Sequence, residues 1–401
     1  MNLGFASPVS LQLLRHLVDD GDRLPPGYQF APSSDWVQEL MKRGHHVFLY
    51  TTSREIDAPT TFRGEGLTIR IAKQRHGGTG RDLFAFERKQ LREMMSEDRC
   101  QVIHAHWTYQ FALAALVSGI PTLITIHDLP WKVLMNFRDF HRAARLLMAY
   151  QVAMRGEHFT AVSNDAASHF KRYLNPRANI TVIPNGLPDS MFQFGAPQKR
   201  QAGDAIKFAS ILQGWTTAKN AQAALRAFGA VRSKVPNVEF HMFGVGYGPG
   251  GPAEQWAVGN GLNTGVSFVG PMNYTDLLTR VAAEIDVIVH PSLSEAFSMT
   301  ALETMALKKV FIAGKQTSGM QEMLDGGNSG ILVDVTNPSA IAKAMARVAR
   351  DETFREQVAQ RGFDRASSLY RLSAVISRYE AQYSSILQNA TTETVLHGSY
   401  T

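Results

Sequence analysis

Short apolar, β-branched runs alternate with longer segments of helical period along nearly all of the chain, and this alternation leaves few folds open. In the first half, His46–Tyr50, Gln101–His104, Thr122–Ile126 and Ile180–Pro184 read as buried parallel strands. Between them, Ser34–Arg43, Ala85–Glu97, Trp107–Val117 and Asp165–Leu174 read as helices. A second series has strands at Ile206–Leu212, Val238–Phe243, Val266–Val269, Val287–His290, Val310–Ala313 and Ile331–Val333. Its helices include Ala218–Ser233, Thr275–Ala283, Thr300–Ala306 and Ser339–Ala349. Such alternation builds parallel sheets covered by helices on both faces, so the pattern predicts an α/β chain of two doubly wound, Rossmann-like domains. The stretch Gly186–Asp204 carries neither period. The expected division is an N-terminal domain over 1–190, a linker over 191–204, a C-terminal domain over 205–370, and a last helix over 371–390 that packs back on the N-terminal domain. Paired domains of this kind bind ligands in a central cleft, at the carboxyl ends of their strands.

Composition removes other classes. The chain has 401 residues and a single cysteine, Cys100, so no internal disulfide frames it. The longest apolar stretch, Phe111–Ile126, is broken by Ser118, Gly119 and Pro121, and reads as helix, turn and strand rather than a membrane span. The first residues, MNLGF, show neither a cationic start nor a long apolar core of a signal peptide. A cytoplasmic location is expected. The net charge of +6 suits anionic ligands or an anionic membrane face, and no arginine-rich tract or aromatic–basic repeat points to nucleic acid.

The densest chemical signal is His290-Pro291-Ser292-Leu293-Ser294-Glu295-Ala296-Phe297-Ser298-Met299-Thr300-Ala301-Leu302-Glu303. A strand ends at Pro291, a loop carries Glu295, and a helix opens near Ser298 with Glu303 inside it. Ser298 and Thr300 are capping residue types, and free N–H groups at a helix start can hold phosphate oxygens. Two carboxylates so placed can grip hydroxyls at two points of one ligand. On pattern alone, a capping glutamate and a solvated helix glutamate read equally well.

This stretch resembles the E-x7-E hallmark of the retaining glycosyltransferases of family four, which have the GT-B fold. Val266-Ser267-Phe268-Val269-Gly270, Ala283-Glu284-Ile285-Asp286-Val287, Ser318-Gly319-Met320-Gln321-Glu322 and Asp325-Gly326-Gly327-Asn328-Ser329-Gly330 resemble further family motifs in order. The resemblance implies that Glu303 binds ribose hydroxyls of a nucleotide-diphosphate sugar and that Glu295 binds hydroxyls of the donor sugar. It implies that the backbone of Phe297, Ser298, Met299 and Thr300 faces the diphosphate. Lys219, within Gln213–Asn220, matches the family's diphosphate lysine. On its own, a solvated helix-start lysine is the commoner reading. Two departures stand out: Gly214 occupies the place of a family arginine, and Ala296 and Ser298 replace the glycines of the E-G-F-G turn. Alanine fits there only with φ below zero.

The first half resembles the family more loosely. Gly44-His45-His46-Val47 is similar to its R-G-H-x-V, and counting back places Gly27 first in a Gly-Gly loop whose second glycine is Tyr28 here. Leu11–Pro26 is a long insertion before that loop. His104-Ala105-His106 resembles H-x-H, and Thr125-Ile126-His127-Asp128 resembles T-x-H-D, whose histidine contacts the donor sugar in the family. By this resemblance Gly27 and Gly246 belong with the donor, and Tyr28, His106 and Asp128 with the acceptor or the cleft. His104, His106, His127 and Asp128 are ligand-like residue types, but they fall at two strand ends with no carboxylate or cysteine beside the H-x-H, so no metal is expected. Gly246-Tyr247-Gly248-Pro249-Gly250-Gly251 fits G-x-G-x-x-G, yet it follows the second strand of its half rather than the first, and reads as a tight turn near the nucleotide. Trp131–Met154 reads as one helix carrying Arg138, Arg142 and Arg145, either a packed surface helix or a peripheral contact with the inner membrane face.

These readings converge on an enzyme without cofactor. It would move a hexose-like sugar, with retention, from a nucleotide-diphosphate sugar to a hydroxyl of a glycan or lipid-linked acceptor in envelope polysaccharide or glycoconjugate synthesis. A GT-B-like sugar-nucleotide epimerase and a nucleotide-sugar-binding protein without turnover are the alternatives.

Overall fold

The computed structural model describes residues 1–28, 30–194, 203–235 and 237–398, with side chains through residue 389. Most of the aperiodic stretch read as a linker, residues 195–202, lies outside the described residues. Two compact units result, residues 1–186 with 372–401, and residues 187–371.

The first unit is built on eight strands: β1 (Asn2–Ala6), β2 (His46–Ser53), β3 (Thr60–Gly64), β4 (Leu67–Lys73), β5 (Val102–His106), β6 (Thr122–Ile126), β7 (His158–Ala161) and β8 (Ile180–Val182). Their order is β3-β4-β2-β1-β5-β6-β7-β8. All pairs are parallel except the β3–β4 hairpin. The sequence reading omits β1, β3, β4 and β7. β1 is only five residues long and contains Gly4, so its apolar run is too short to stand out, although it lies between β2 and β5. The single helix expected over Trp131–Met154 is two, Pro130–Phe137 and Phe140–Arg155. Arg138 has φ +50° and ends the first; Asp139 caps the second by accepting a bond from the Arg142 amide.

The unit closes with the helix Leu372–Gly398. Its Leu372, Val375, Ile376, Tyr379, Tyr383 and Ile386 belong to the same buried cluster as Leu3, Phe5, Trp36, Val47 and Leu123. Glu380 receives Arg43 at 2.7 Å and His45 at 2.8 Å, and Arg378 donates to the Val182 carbonyl at 2.6 Å. Inside the core the Tyr383 hydroxyl meets His104 Nδ1 at 2.7 Å, while His104 Nε2 meets Thr125 at 2.6 Å. Burial drives the His104 pKa well below its usual value, so the ring is neutral and satisfied on both nitrogens.

The second unit carries β9 (Ile206–Ile211), β10 (Val238–Phe243), β11 (Val266–Gly270), β12 (Val287–His290), β13 (Val310–Gly314) and β14 (Ile331–Val333). The order is β11-β10-β9-β12-β13-β14, all parallel. Its apolar residues divide between two clusters, one including Phe208, Phe228 and Phe240, the other Ile288, Leu302 and Phe311. Met191 and Phe192 pack into the second cluster, so the second unit begins at Leu187, ahead of the stretch read as linker.

Tyr383→Phe should lower the first unit's stability by about 1–3 kcal/mol, because it leaves His104 Nδ1 buried without a partner. Differential scanning calorimetry checks this: the transition assigned to the first unit moves down and that of the second stays in place.

Candidate active site

In the second unit β9 and β12 are neighbours, and the loops leaving their carboxyl ends are tied together. The Leu293 amide bonds the Ala218 carbonyl at 2.9 Å. Asn220 Nδ2 reaches the carbonyls of Pro291 (3.2 Å) and Val335 (2.8 Å). Asn220 has φ +51°, which stops the expected continuous helix from Ala218; a short turn, Thr217–Lys219, precedes the helix Ala221–Arg232. These ties bring Lys219 Nζ to 2.9 Å from Glu295 Oε1. His290 Nε2 lies 3.1 Å from the same oxygen. An ionised carboxylate only accepts, so His290 Nε2 carries the proton of that bond.

Both partners converge on Oε1, which leaves Glu295 Oε2 for a ligand hydroxyl. Burial pushes the Glu295 carboxyl upward, but His290 and Lys219 outweigh it and hold the pKa at about 2. The folded-state pKa is depressed. The stabilisation it brings is therefore complete above the ordinary glutamate range and is lost as pH falls toward 2.

The helix Met299–Ala306 opens beside this pair. Ser298 Oγ accepts from the Ala301 amide, and the Leu302 amide bonds the Ser298 carbonyl. The Met299 and Thr300 amides remain as open donors at a helix start. The Phe297 side chain turns away from them, packing in the apolar cluster with its ring 5.8 Å from Tyr370. Ala296 has no positive φ, so its replacement of glycine is unstrained. Glu303, one turn into the helix, accepts a 2.8 Å bond from the Tyr274 hydroxyl. Burial raises its pKa, and the tyrosine bond opposes that rise.

Gly214 has φ +80°, and its carbonyl accepts the Tyr247 hydroxyl at 3.1 Å. An arginine there would adopt a left-handed backbone that favours glycine. Gly246 sits in the turn after β10, where an added Cβ would lie 3.2 Å from the Trp215 amide nitrogen. The G-x-G-x-x-G stretch thus packs on the Gly214–Trp215 loop.

In the first unit, His106 and His127 lie on adjacent strand ends with Nδ1 and Nε2 2.8 Å apart. One nitrogen donates and the other accepts, so His127 has only Nδ1 left for a ligand. Burial holds the His127 pKa at about 3 and drives that of His106 well below its usual range, so both rings are neutral near pH 7. His106 is 3% exposed and bonds His127 from within the first unit. Trp107, with φ +63°, lays its ring 4.5 Å from that of His127. Asp128 Oδ2 accepts a 2.6 Å bond from Tyr109, whose ring carries the Arg145 guanidinium 4.6 Å away. Burial raises the Asp128 pKa. Arg138, Arg142 and Arg145 do not share one helical face, since Arg138 lies at the break and Arg142 pairs with Asp139 at 2.9 Å. No described helix is long and apolar enough to cross a membrane. Among the described residues no group of three or more His, Cys, Asp and Glu side chains could hold a metal ion.

The residues that sequence reasoning missed are His290 and Tyr274. His290 ends the strand that leads into the motif, and a polar residue at an otherwise apolar strand end was its signal. Tyr274 lies 29 positions before Glu303, and no spacing rule connects them.

Two doubly wound units, the second presenting a lysine–carboxylate pair at a helix start, are the architecture of a GT-B protein. The chain matches the family model Glycosyltransferase Family 4 over residues 34–190 and the model Glycosyl transferases group 1 over residues 204–365. It is a glycosyltransferase of the family-four, GT-B type. It is 21% identical over 308 residues to an N-acetyl-alpha-D-glucosaminyl L-malate synthase of Bacillus anthracis, covering 74% of this chain and 78% of that protein. The structure is similar to that of a sucrose-phosphate synthase from Thermosynechococcus elongatus, with TM-score 0.76, 17% identity, and 97% and 100% of the two chains covered. It is also similar to Anabaena HepE in complex with UDP-glucose, with TM-score 0.68, 15% identity, and 96% and 100% covered.

Replacing Lys219 by Met should raise the Glu295 pKa, because one of the two opposing partners is gone and burial is less opposed. Carboxyl carbon NMR of the free protein reads this as a titration that begins at higher pH than in the wild type. An unchanged titration contradicts the assigned coupling.

Proposed function

We propose that the chain transfers a sugar, with retention at the anomeric carbon, from a nucleoside-diphosphate sugar to a hydroxyl of a glycan or lipid-linked acceptor. The observation that carries this reading is the convergence of Lys219 and His290 on one oxygen of Glu295 at the start of the Met299–Ala306 helix. A cation and open helix-start amides suit a diphosphate, and a fixed carboxylate with one free oxygen suits a sugar hydroxyl. In this reading Glu303, which accepts a bond from Tyr274, also accepts from ribose hydroxyls. The complex of HepE with UDP-glucose supports a nucleotide-sugar donor.

The bond from the anomeric carbon to the diphosphate oxygen breaks as the acceptor oxygen bonds to that carbon from the same face. Lys219 and the Met299 and Thr300 amides stabilise the charge that grows on the leaving diphosphate. A leaving phosphate oxygen takes the acceptor proton, so no separate pair of acid and base carboxylates is required. No metal takes part in this scheme. Gly214 favours one competing reading, a binding protein without turnover, since a diphosphate cation of the family is missing there.

Glu303→Ala should weaken nucleotide-sugar binding by about 10- to 100-fold, the usual cost of losing a charged hydrogen-bond acceptor. Isothermal titration with uridine, guanosine and adenosine diphosphate sugars measures it. With the donor that binds, product anomers followed by proton NMR should show retention. An inverted product contradicts the mechanism, donor isomerisation without acceptor indicates an epimerase, and binding without turnover over a broad acceptor panel indicates a binding protein.

A further inference from the structure

The helices Pro130–Phe137 and Phe140–Arg155 present an apolar surface that the fold leaves in solvent. On the second helix Phe140, Ala143, Leu147 and Met154 fall within about 60° of the circumference. Phe140 is 66% exposed, Leu147 51% and Met154 75%, and Ala143 is exposed with them. On the inner side of the same helix Met148, Ala149 and Val152 are buried. A surface helix normally turns polar residues to water, and one that is apolar on two sides is built to be covered on both. The first helix repeats the anomaly. Its sequence PWKVLMNF is mostly apolar, yet only Pro130 is buried, and Trp131, Met135 and Phe137 are exposed. Exposed Phe137 and Phe140 flank the corner where the two helices meet.

Charge decides what covers this surface. Lys132, Arg138, Arg142, Arg145 and Arg155 are the basic residues of the two helices and their corner, and Asp139 is the single acidic one. Asp139 is neutralised by Arg142 at 2.9 Å, and the same guanidinium lies 4.8 Å over the Phe137 ring. Arg138 and Arg155 are exposed at opposite ends of the second helix. Arg81 is exposed beside Gly80, where an added Cβ would lie 3.6 Å from the Phe140 ring. The apolar stripe therefore runs between cations. A second copy docked by symmetry on this surface would set the same cations against one another. An anionic bilayer offers hydrocarbon to the stripe and phosphates to the arginines. From Phe140 to Met154 the stripe extends about 21 Å along the axis, which suits a helix lying in the plane of the interface.

We propose that these two helices dock the chain on an anionic lipid bilayer, with Phe140, Leu147 and Met154 entering the acyl boundary and Arg81, Arg138 and Arg155 meeting lipid phosphates. The contact is peripheral and independent of the sugar-transfer reading, to which it adds a partner.

Co-sedimentation of the full chain tests it with two kinds of vesicle, one of pure phosphatidylcholine and one of phosphatidylcholine mixed equally with phosphatidylglycerol. Binding to the anionic vesicles should exceed binding to the neutral ones by about tenfold or more and should fall as salt is added. The double variant Leu147→Ser, Met154→Ser keeps every charge and should lose most of the binding. The double variant Arg138→Asn, Arg155→Gln keeps the apolar stripe and should bind the two kinds of vesicle nearly alike. Because these side chains are exposed, both variants should unfold at the wild-type temperature. If the first does not, Met154→Ser alone replaces it, with a smaller loss expected. Failure of the wild type to bind anionic vesicles overturns the proposal, as does equal binding to both kinds or binding that the serine variant retains in full. Wild-type self-association that the serine variant abolishes, with no vesicle binding, overturns it in favour of an interface between copies.

Discussion

The contact of Lys219 and His290 with a single oxygen of Glu295 is the constraint on which the chemistry of the second unit depends. A carboxylate removed from water at this depth would rise in pKa and protonate without partners. Two donors on one oxygen keep it ionised and also fix its rotation, so the second oxygen points to a defined place. The arrangement exists because β9 and β12 are adjacent and because Asn220 ties the loop after β9 to the loop after β12 through the Pro291 carbonyl, and to the segment after β14 through the Val335 carbonyl. The strand order is thus what converts residues 76 positions apart into one charge pair.

The first unit follows a different logic. The ends of β5 and β6 carry neutral histidines, His104, His106 and His127. His104 is satisfied by Tyr383 and Thr125, and this ties the sheet interior to the last helix of the chain. His106 spends one nitrogen on His127 and so limits what His127 offers to a ligand. The open amides and the lysine of the second unit suit an anion. The +6 net charge therefore says little about binding, because the useful positive charge is local.

The α/β class and the strands of the second half are legible from apolar runs because those strands belong to one parallel sheet, its inner strands buried and its edge strands β11 and β14 partly so. Val238–Phe243, Val287–His290 and Ile331–Val333 have the bounds that periodicity predicts. β1 was hidden by its length and its glycine, and the β3–β4 hairpin by a pattern that parallel-strand logic does not anticipate. The helix break at Arg138 depends on one left-handed residue and one aspartate cap, neither of which interrupts the apolar period. Glu295, Glu303 and Lys219 stood out in the sequence because the resemblance gave each an expected role. Of their partners, His290 showed only as a polar residue at an apolar strand end and Tyr274 not at all, since a contact between two elements leaves little mark in linear spacing.

The proposed function requires the nucleotide diphosphate to sit at the start of the Met299–Ala306 helix, beside Lys219. Amide-detected NMR of the isotope-labelled chain, titrated with a nucleoside diphosphate that binds, tests it most directly. The largest shifts should fall at the Met299 and Thr300 amides, with a shift of the Lys219 ammonium resonance at the same saturation point. Saturable binding whose shifts fall elsewhere and leave Met299, Thr300 and Lys219 unmoved would contradict it.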